Sequence, residues 1–236
     1  MRLRVKSLFR KHKKHKKMSP LSSTENRVLT GQAREALREK WGLGVGTAAV
    51  YFLLMLVLQF LSILIGISIA GLSASEESLK LFTNIIYILL SILIDGPMAA
   101  GLAYFILSLS RKQDARLSQV FSGFNIYGLC VGTYLLQCVF IFCWSLLLLV
   151  PGIIATLSYS MTYFIIADNN FITPLEAITK SKEMMRGNKW KFFCLGLRFF
   201  GWSLLCIVTL GIGFLWLIPY WHVSYAQFYD DLKEKI

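Results

Sequence analysis

Residues 144–160 read WSLLLLVPGIIATLSYS, and the Pro-Gly pair at their centre either kinks one long helix or turns between two. That choice decides the fold. The pair lies inside residues 126–167, a run of 42 residues with no charged side chain. One straight helix of that length would reach about 63 Å, twice a hydrocarbon core about 30 Å thick. Two crossings of about 20 residues each fit instead. Pro cannot continue the helical ladder, and Gly accepts the turn angles, so Val150-Pro151-Gly152 is expected at the water boundary.

Three more runs extend the pattern. Residues 43–72 carry no charge, 82–107 carry only Asp95, and 192–226 carry only Arg198 and His222. The last run divides at a second glycine-bearing turn, Thr209–Gly213 with Gly211 and Gly213, again preceded by WSLL at 202–205. Hydrophobic residues make up 56% of the chain and charged residues 16%, with mean hydropathy +0.57. Soluble domains carry about 25% charged residues, so an all-α, polytopic membrane protein is the expected class. The runs predict six crossings, near 43–66, 83–108, 127–149, 152–168, 191–209 and 212–228, paired as three hairpins.

Charge orients them. Of 25 Lys and Arg, 13 precede residue 41, three follow the second crossing, five the fourth and two the sixth. With six crossings all 23 fall on one side; Lys80 alone takes the other, and Arg198 lies inside a span. The positive-inside rule makes the crowded side, with both termini, cytoplasmic.

Each hairpin follows an amphipathic stretch. Ala33, Ala36, Leu37 and Trp41 share one face, as do Leu117, Val120, Phe121 and Phe124. The third stretch opens with the Thr173/Glu176 capping box and Pro174, and carries Leu175, Ile178 and Met185 on its apolar face. Such stretches suit the membrane interface, with packing on other loops as the alternative. The chain therefore divides into a basic, disordered tail (1–24), one membrane domain (25–231) and a short end (232–236). Within the domain, pseudo-repeats are expected at about 31–111, 114–168 and 173–230.

An ionisable residue within a span is a functional candidate because insertion costs about 2.5–3.5 kcal/mol. Asp95 precedes Gly96-Pro97, where the helix is expected to break, and Arg198 is its possible partner. A carboxylate at such a break could hold a cation or relay a proton, or it could cap the half-helix and fix packing. In the tail, Arg10, Lys11, Lys13, Lys14, Lys16 and Lys17 are expected to meet anionic lipid headgroups at the cytoplasmic face. Base-stacking aromatics beyond Phe9 are lacking there, so no nucleic-acid partner is expected. With three histidines, two of them in the tail, no metal site, cofactor or catalytic constellation can be assembled. A homo-oligomer is possible.

VFSGF (120–124), WSLLLLVPGIIATLSYSMTYFIIADN (144–169), PLEAITKSKEMMRGNKWKFF (174–193) and TLGIGFLWLIPY (209–220), with the looser IDGPMAAG (94–101), carry a family resemblance. They resemble a bacterial membrane family known as domain of unknown function 975, over about residues 31–231. The family is similar in layout to the membrane domain of glycerophosphoryl diester phosphodiesterases, whose catalytic domain has no counterpart here. The resemblance implies a bacterial cytoplasmic-membrane protein and no established activity. On these grounds the expected role is a non-enzymatic membrane scaffold or lipid-interacting protein. The alternative is a small-solute or ion transporter with a path near Asp95.

Overall fold

The apolar runs become long helices in the computed structural model, which describes residues 21–70 and 75–234. Among the described residues there is no strand. Helix α1 spans Asn26–Leu37, α2 Trp41–Ala70 and α3 Glu76–Ser110. A 3-10 segment, Leu117–Ile126, leads into α4 (Tyr127–Leu147). Then follow α5 (Leu149–Tyr159), α6 (Thr162–Asp168), α7 (Pro174–Met184), α8 (Lys189–Val208) and α9 (Phe214–Lys233).

Five stretches are long and apolar enough to span a membrane: Trp41–Ile69, Glu76–Ser110, Leu117–Leu147, Val150–Asp168 and Lys189–Val208. The sixth expected crossing is helical as α9 but is not among them. Its second half ends in YDDLK, and it packs against α1, α2, α3 and α8. Val223, Ala226, Phe228 and Leu232 are buried along it, so neighbouring helices cover a stretch too polar to face lipid.

The basic segments meet at one end of the bundle. Lys40 Nζ donates to the Gln113 carbonyl at 2.7 Å, Arg111 joins the ends of α6 and α9, and Lys191 Nζ donates to the Ser22 carbonyl at 3.3 Å. Ser22 and Thr24 hydroxyls also bond Asp231. The last residues of the expected tail are therefore anchored. The basic tail residues Arg10 to Lys17 lie outside the described residues.

Several local expectations need correction. The break between α4 and α5 is a single extended residue, Leu148 (φ −169°, ψ 154°), rather than the Val150-Pro151-Gly152 triplet. Pro151 falls in the first turn of α5, where a missing N–H costs nothing because those donors have no helical partner. Gly152 brings α5 onto α4: a Cβ there would sit 3.2 Å from Ser145 Cα. The second turn is where expected. Leu210 (φ 52°) and Gly211 (φ +86°) take left-handed angles, and Gly211 N–H closes the end of α8 on the Cys206 carbonyl at 3.0 Å.

Gly96-Pro97 does not break α3, which continues through both to Ser110. Tertiary packing outweighs the lost hydrogen bond. A Cβ on Gly96 would stand 2.7 Å from the Cys130 carbonyl oxygen. Cβ atoms on Gly101 or Gly123 would overlap the Val120 and Pro97 carbonyls outright. Backbone therefore lies directly on backbone where the 3-10 segment runs along α3, an arrangement small residues permit.

The same contact changes the role of the amphipathic stretches. In the 3-10 segment Val120 is fully buried on α3, while Leu117, Phe121 and Phe124 face outward, because a three-residue turn rotates an α-helical stripe off its face. In α1, Leu29, Ala33, Ala36 and Leu37 are buried against α9 and α3. In α7, Ala177, Ile178, Ser181 and Met184 are buried against α4, α5 and α6, while Leu175 is exposed. The apolar faces of α1 and α7 thus turn into the protein rather than towards a lipid interface.

Candidate functional site

Asp95 stands 15 residues before Ser110, the last residue of α3, about 22 Å from the basic end by helix rise. Tyr134 of α4 donates its hydroxyl to Asp95 Oδ2 at 3.2 Å. Among the described residues the other oxygen, Oδ1, is buried and has no hydrogen-bond partner, and the Tyr163 hydroxyl of α6 is orphaned likewise. Tyr51 of α2 and Tyr163 both lie within electrostatic reach of the carboxylate. The Tyr134–Asp95 bond thus makes a polar centre between α3 and α4 in the apolar bundle. Arg198 is not part of it. It is exposed on α8 and, among the described residues, forms no ion pair with Asp95.

Tyr51 also belongs to a second feature. Between α2, α3 and α9 lies a groove with a cavity volume of about 280 Å³. Ala48, Phe52 and Met55 line it from α2, Leu102 and Ile106 from α3, and Pro219 from α9. Gly44 lets α2 approach α9, since a Cβ there would come within 2.9 Å of Pro219 Cβ. Three side chains on its wall carry polar atoms: Thr47, Tyr51 and His222. Thr47 spends its hydroxyl on the Leu43 carbonyl at 2.9 Å. Tyr51 and His222 make no side-chain hydrogen bond among the described residues. From Gly44 to Met55 the groove follows 11 residues of α2, about 17 Å, all in the half of the bundle nearer the basic end.

Two polar assemblies hold this arrangement. At the basic end Arg111 grips two carboxylates: Nη1 and Nη2 donate to Asp168 at 2.7 and 3.1 Å, while Nη2 and Nε donate to Asp230 at 2.6 and 3.2 Å. Tyr229 and Lys233 add bonds to Asp168 at 2.8 and 2.6 Å. This forked geometry favours the guanidinium's charged form, which both carboxylates hold further above its already high value. Deeper in, the ladder between α5 and α6 is broken at Ser160-Met161. Ser181 of α7 fills the gap, donating to the Ser158 carbonyl at 2.8 Å and accepting from Met161 N–H at 3.2 Å. Gln137 of α4 donates to the Tyr159 carbonyl at 3.4 Å.

Of the expected site residues, only Asp95 stands in a polar centre. Gly96, Pro97 and Gly152 serve close packing, Pro151 starts α5, and Gly211 and Gly213 belong to the α8–α9 turn. The groove was not readable from sequence, because Tyr51 and His222 are 171 positions apart and neither carries a motif. Among the described residues no cluster of His, Cys, Asp and Glu suits a metal ion.

Residues 137–236 match the model of a protein family described as "Protein of unknown function (DUF975)". The match begins midway along α4 and runs to the end of the chain, a narrower span than the resemblance in the sequence suggests. No curated protein and no solved structure matches the chain.

Proposed function

We propose that the protein is a non-enzymatic, lipid-interacting membrane protein that holds a lipid acyl chain in the groove between α2, α3 and α9. The groove carries this reading: apolar walls run about 17 Å along one half of the bundle, and Tyr51 and His222 offer polar handles within it. Its volume of about 280 Å³ lies at the small end of ligand pockets, about 300–1,000 Å³, and suits part of one chain. Inside a bilayer the hydrophobic effect gives a bound chain no advantage over bulk lipid, so retention rests on packing and on those handles. The basic segments would then face the cytoplasm and the polybasic tail would meet anionic headgroups.

Water access tests this. With the native cysteines replaced, Ala48→Cys in membranes is expected to resist a charged thiosulfonate reagent, while Thr179→Cys on exposed α7 reacts readily. Labelling of Ala48→Cys as fast as Thr179→Cys would mean a water-filled path and would end the lipid reading.

The second reading, a small-solute or ion transporter with a path near Asp95, is favoured by the partnerless Asp95 Oδ1. It requires cation or proton flux in proteoliposomes that Asp95→Asn abolishes while the variant still folds. Equal flux in the variant, or none in either protein, removes it.

A further inference from the structure

The α8–α9 hairpin is much shorter than the α2–α3 hairpin beside it. α3 and α9 run in the same direction to the basic end, where Gln227 Nε2 donates to the Ser110 carbonyl at 3.2 Å and to its hydroxyl at 2.9 Å. Eight residues before each, Leu102 and Pro219 line the same groove, so the register holds along the pair. Six residues before Pro219, the turn ends at Gly213, which therefore stands level with Gly96. α3 begins a further 20 residues away at Glu76, about 30 Å by helix rise. α2 gives the same level independently. Gly44 meets Pro219, since a Cβ there would lie 2.9 Å from Pro219 Cβ, and this puts Gly213 level with Val50. From Val50 α2 runs on for 20 residues to Ala70. The α4–α5 hairpin, by contrast, goes the whole way. Its Cys130 carbonyl lies at Gly96, and α4 continues 17 residues past Cys130, about 26 Å, to the level where α3 starts.

The apolar length of α3 places that level in a membrane. Between Lys80 and Arg111 it carries 30 residues whose one charge is Asp95. A hydrocarbon core about 30 Å thick takes about 20 of them. Wherever the core falls within those 30, it contains the level of Gly96 with about four residues, or about 6 Å, to spare. Tilting α3 brings more residues into the core and keeps Gly96 inside it.

The turn suits that medium. All eight backbone N–H groups from Leu210 to Leu217 are hydrogen-bonded, that of Gly213 to the Thr209 hydroxyl at 3.2 Å and the others to carbonyls. In lipid no water replaces a missing partner. Leu210 is 94% exposed, Val208 and Ile212 are exposed beside it, and no Lys, Arg, Asp or Glu occurs between Arg198 and Asp230. Arg198 itself distinguishes a shallow hairpin from a full crossing. It is exposed on α8, 11 residues before Thr209, about 16 Å by helix rise. A turn at the far water boundary would leave this cation facing lipid near mid-core, which is costly. A turn within the core brings it out at the surface.

We infer that α8 and α9 form a re-entrant hairpin. It enters the membrane from the side of the basic end, turns at Thr209–Gly213 inside the hydrocarbon core and returns to the same side, with Val208, Leu210 and Ile212 against lipid acyl chains. Four complete crossings remain, α2, α3, α4 and the α5–α6 pair, so Asn26 and Lys233 stay on one side. α9 then needs to be apolar only over its first turns, Phe214 to Trp221, which is why it falls short of a spanning stretch.

Thiol accessibility tests the hairpin with the full chain, its native cysteines replaced, reconstituted in phospholipid vesicles made leaky so that both faces meet a charged maleimide. Glu77→Cys, at the start of α3, and Thr179→Cys, on α7, are exposed markers for the two faces. Leu210→Cys is expected to react at least about tenfold more slowly than either, and as fast as both in SDS. Bimane attached at Leu210→Cys should be quenched more by phosphatidylcholine brominated near the chain end than by lipid brominated near the headgroup. Reaction of Leu210→Cys within tenfold of either marker overturns the proposal, because the turn would then stand in water. Stronger quenching by the lipid brominated near the headgroup overturns it as well. Neither readout depends on what the groove holds.

Discussion

Replacing Arg111 by Met should destabilise the protein by about 2–3 kcal/mol. The side chain holds Asp168 and Asp230 with four hydrogen bonds, and the three side chains are 28%, 14% and 22% exposed. Breaking a fully buried pair costs about 3–5 kcal/mol because a charge is left unpaired, whereas exposed pairs contribute about 0–1 kcal/mol. Arg111 lies between these limits. Lys233 and Tyr229 still serve Asp168 after the substitution, so most of the loss comes from Asp230. Arg116 with Asp114 provides the control, since those side chains are 73% and 75% exposed and Arg116→Met should cost under about 1 kcal/mol. Unfolding in mixed dodecylmaltoside–SDS micelles, followed by far-UV circular dichroism, reads both. For Arg111→Met the expected change from the parent is about 30- to 150-fold in the unfolding constant, and for Arg116→Met under about fivefold. Arg111→Met/Asp230→Leu should recover part of the loss, because no orphaned carboxylate remains there. An Arg111→Met variant no less stable than Arg116→Met would refute the reasoning.

Three further outcomes are expected. Gly123→Ala should prevent native packing, since its methyl overlaps the Pro97 carbonyl, while Gly128→Ala, which meets nothing within 4 Å, should fold normally; size-exclusion profiles distinguish them. Ser181→Ala should cost about 1–3 kcal/mol by leaving Met161 N–H buried without an acceptor, measured in the same micelle titration. The bonds that the Glu176 carboxylate receives at Thr173 hold its pKa below the ordinary Glu range. A depressed folded-state value means the contribution is present above the unfolded pKa and lost as pH falls through the folded one. Amide exchange in α7 should therefore speed up on acidification in the parent and change less in Glu176→Gln.

The helical class and the spanning segments were legible because length and hydropathy act locally. The 126–167 run had to fold back, and it does, although at Leu148. The boundary moved because a proline read as a turn residue fits equally well in a helix's first turn. Gly96-Pro97 misled for the opposite reason: local propensity favours a break there, but close packing on Cys130 and Gly123 keeps α3 continuous. The amphipathic stripes of α1 and α7 were visible in sequence, yet periodicity gives an apolar face without saying what covers it. Asp95 stood out as a charge in an apolar run. Its partner did not, because Tyr134 is an ordinary residue until α4 brings it to the carboxylate, 39 positions along the chain. The Arg111–Asp168–Asp230 clamp was equally hidden, since its members are 57 and 119 positions apart.

Lipid retention tests the groove most directly. Native mass spectrometry of protein purified through exhaustive detergent washing compares the parent with Ala48→Trp, whose indole fills the space between α2, α3 and α9. A lipid chain held in the groove predicts one phospholipid retained on the parent and lost from a folded Ala48→Trp variant. A bare parent protein, or equal retention by both, would contradict it.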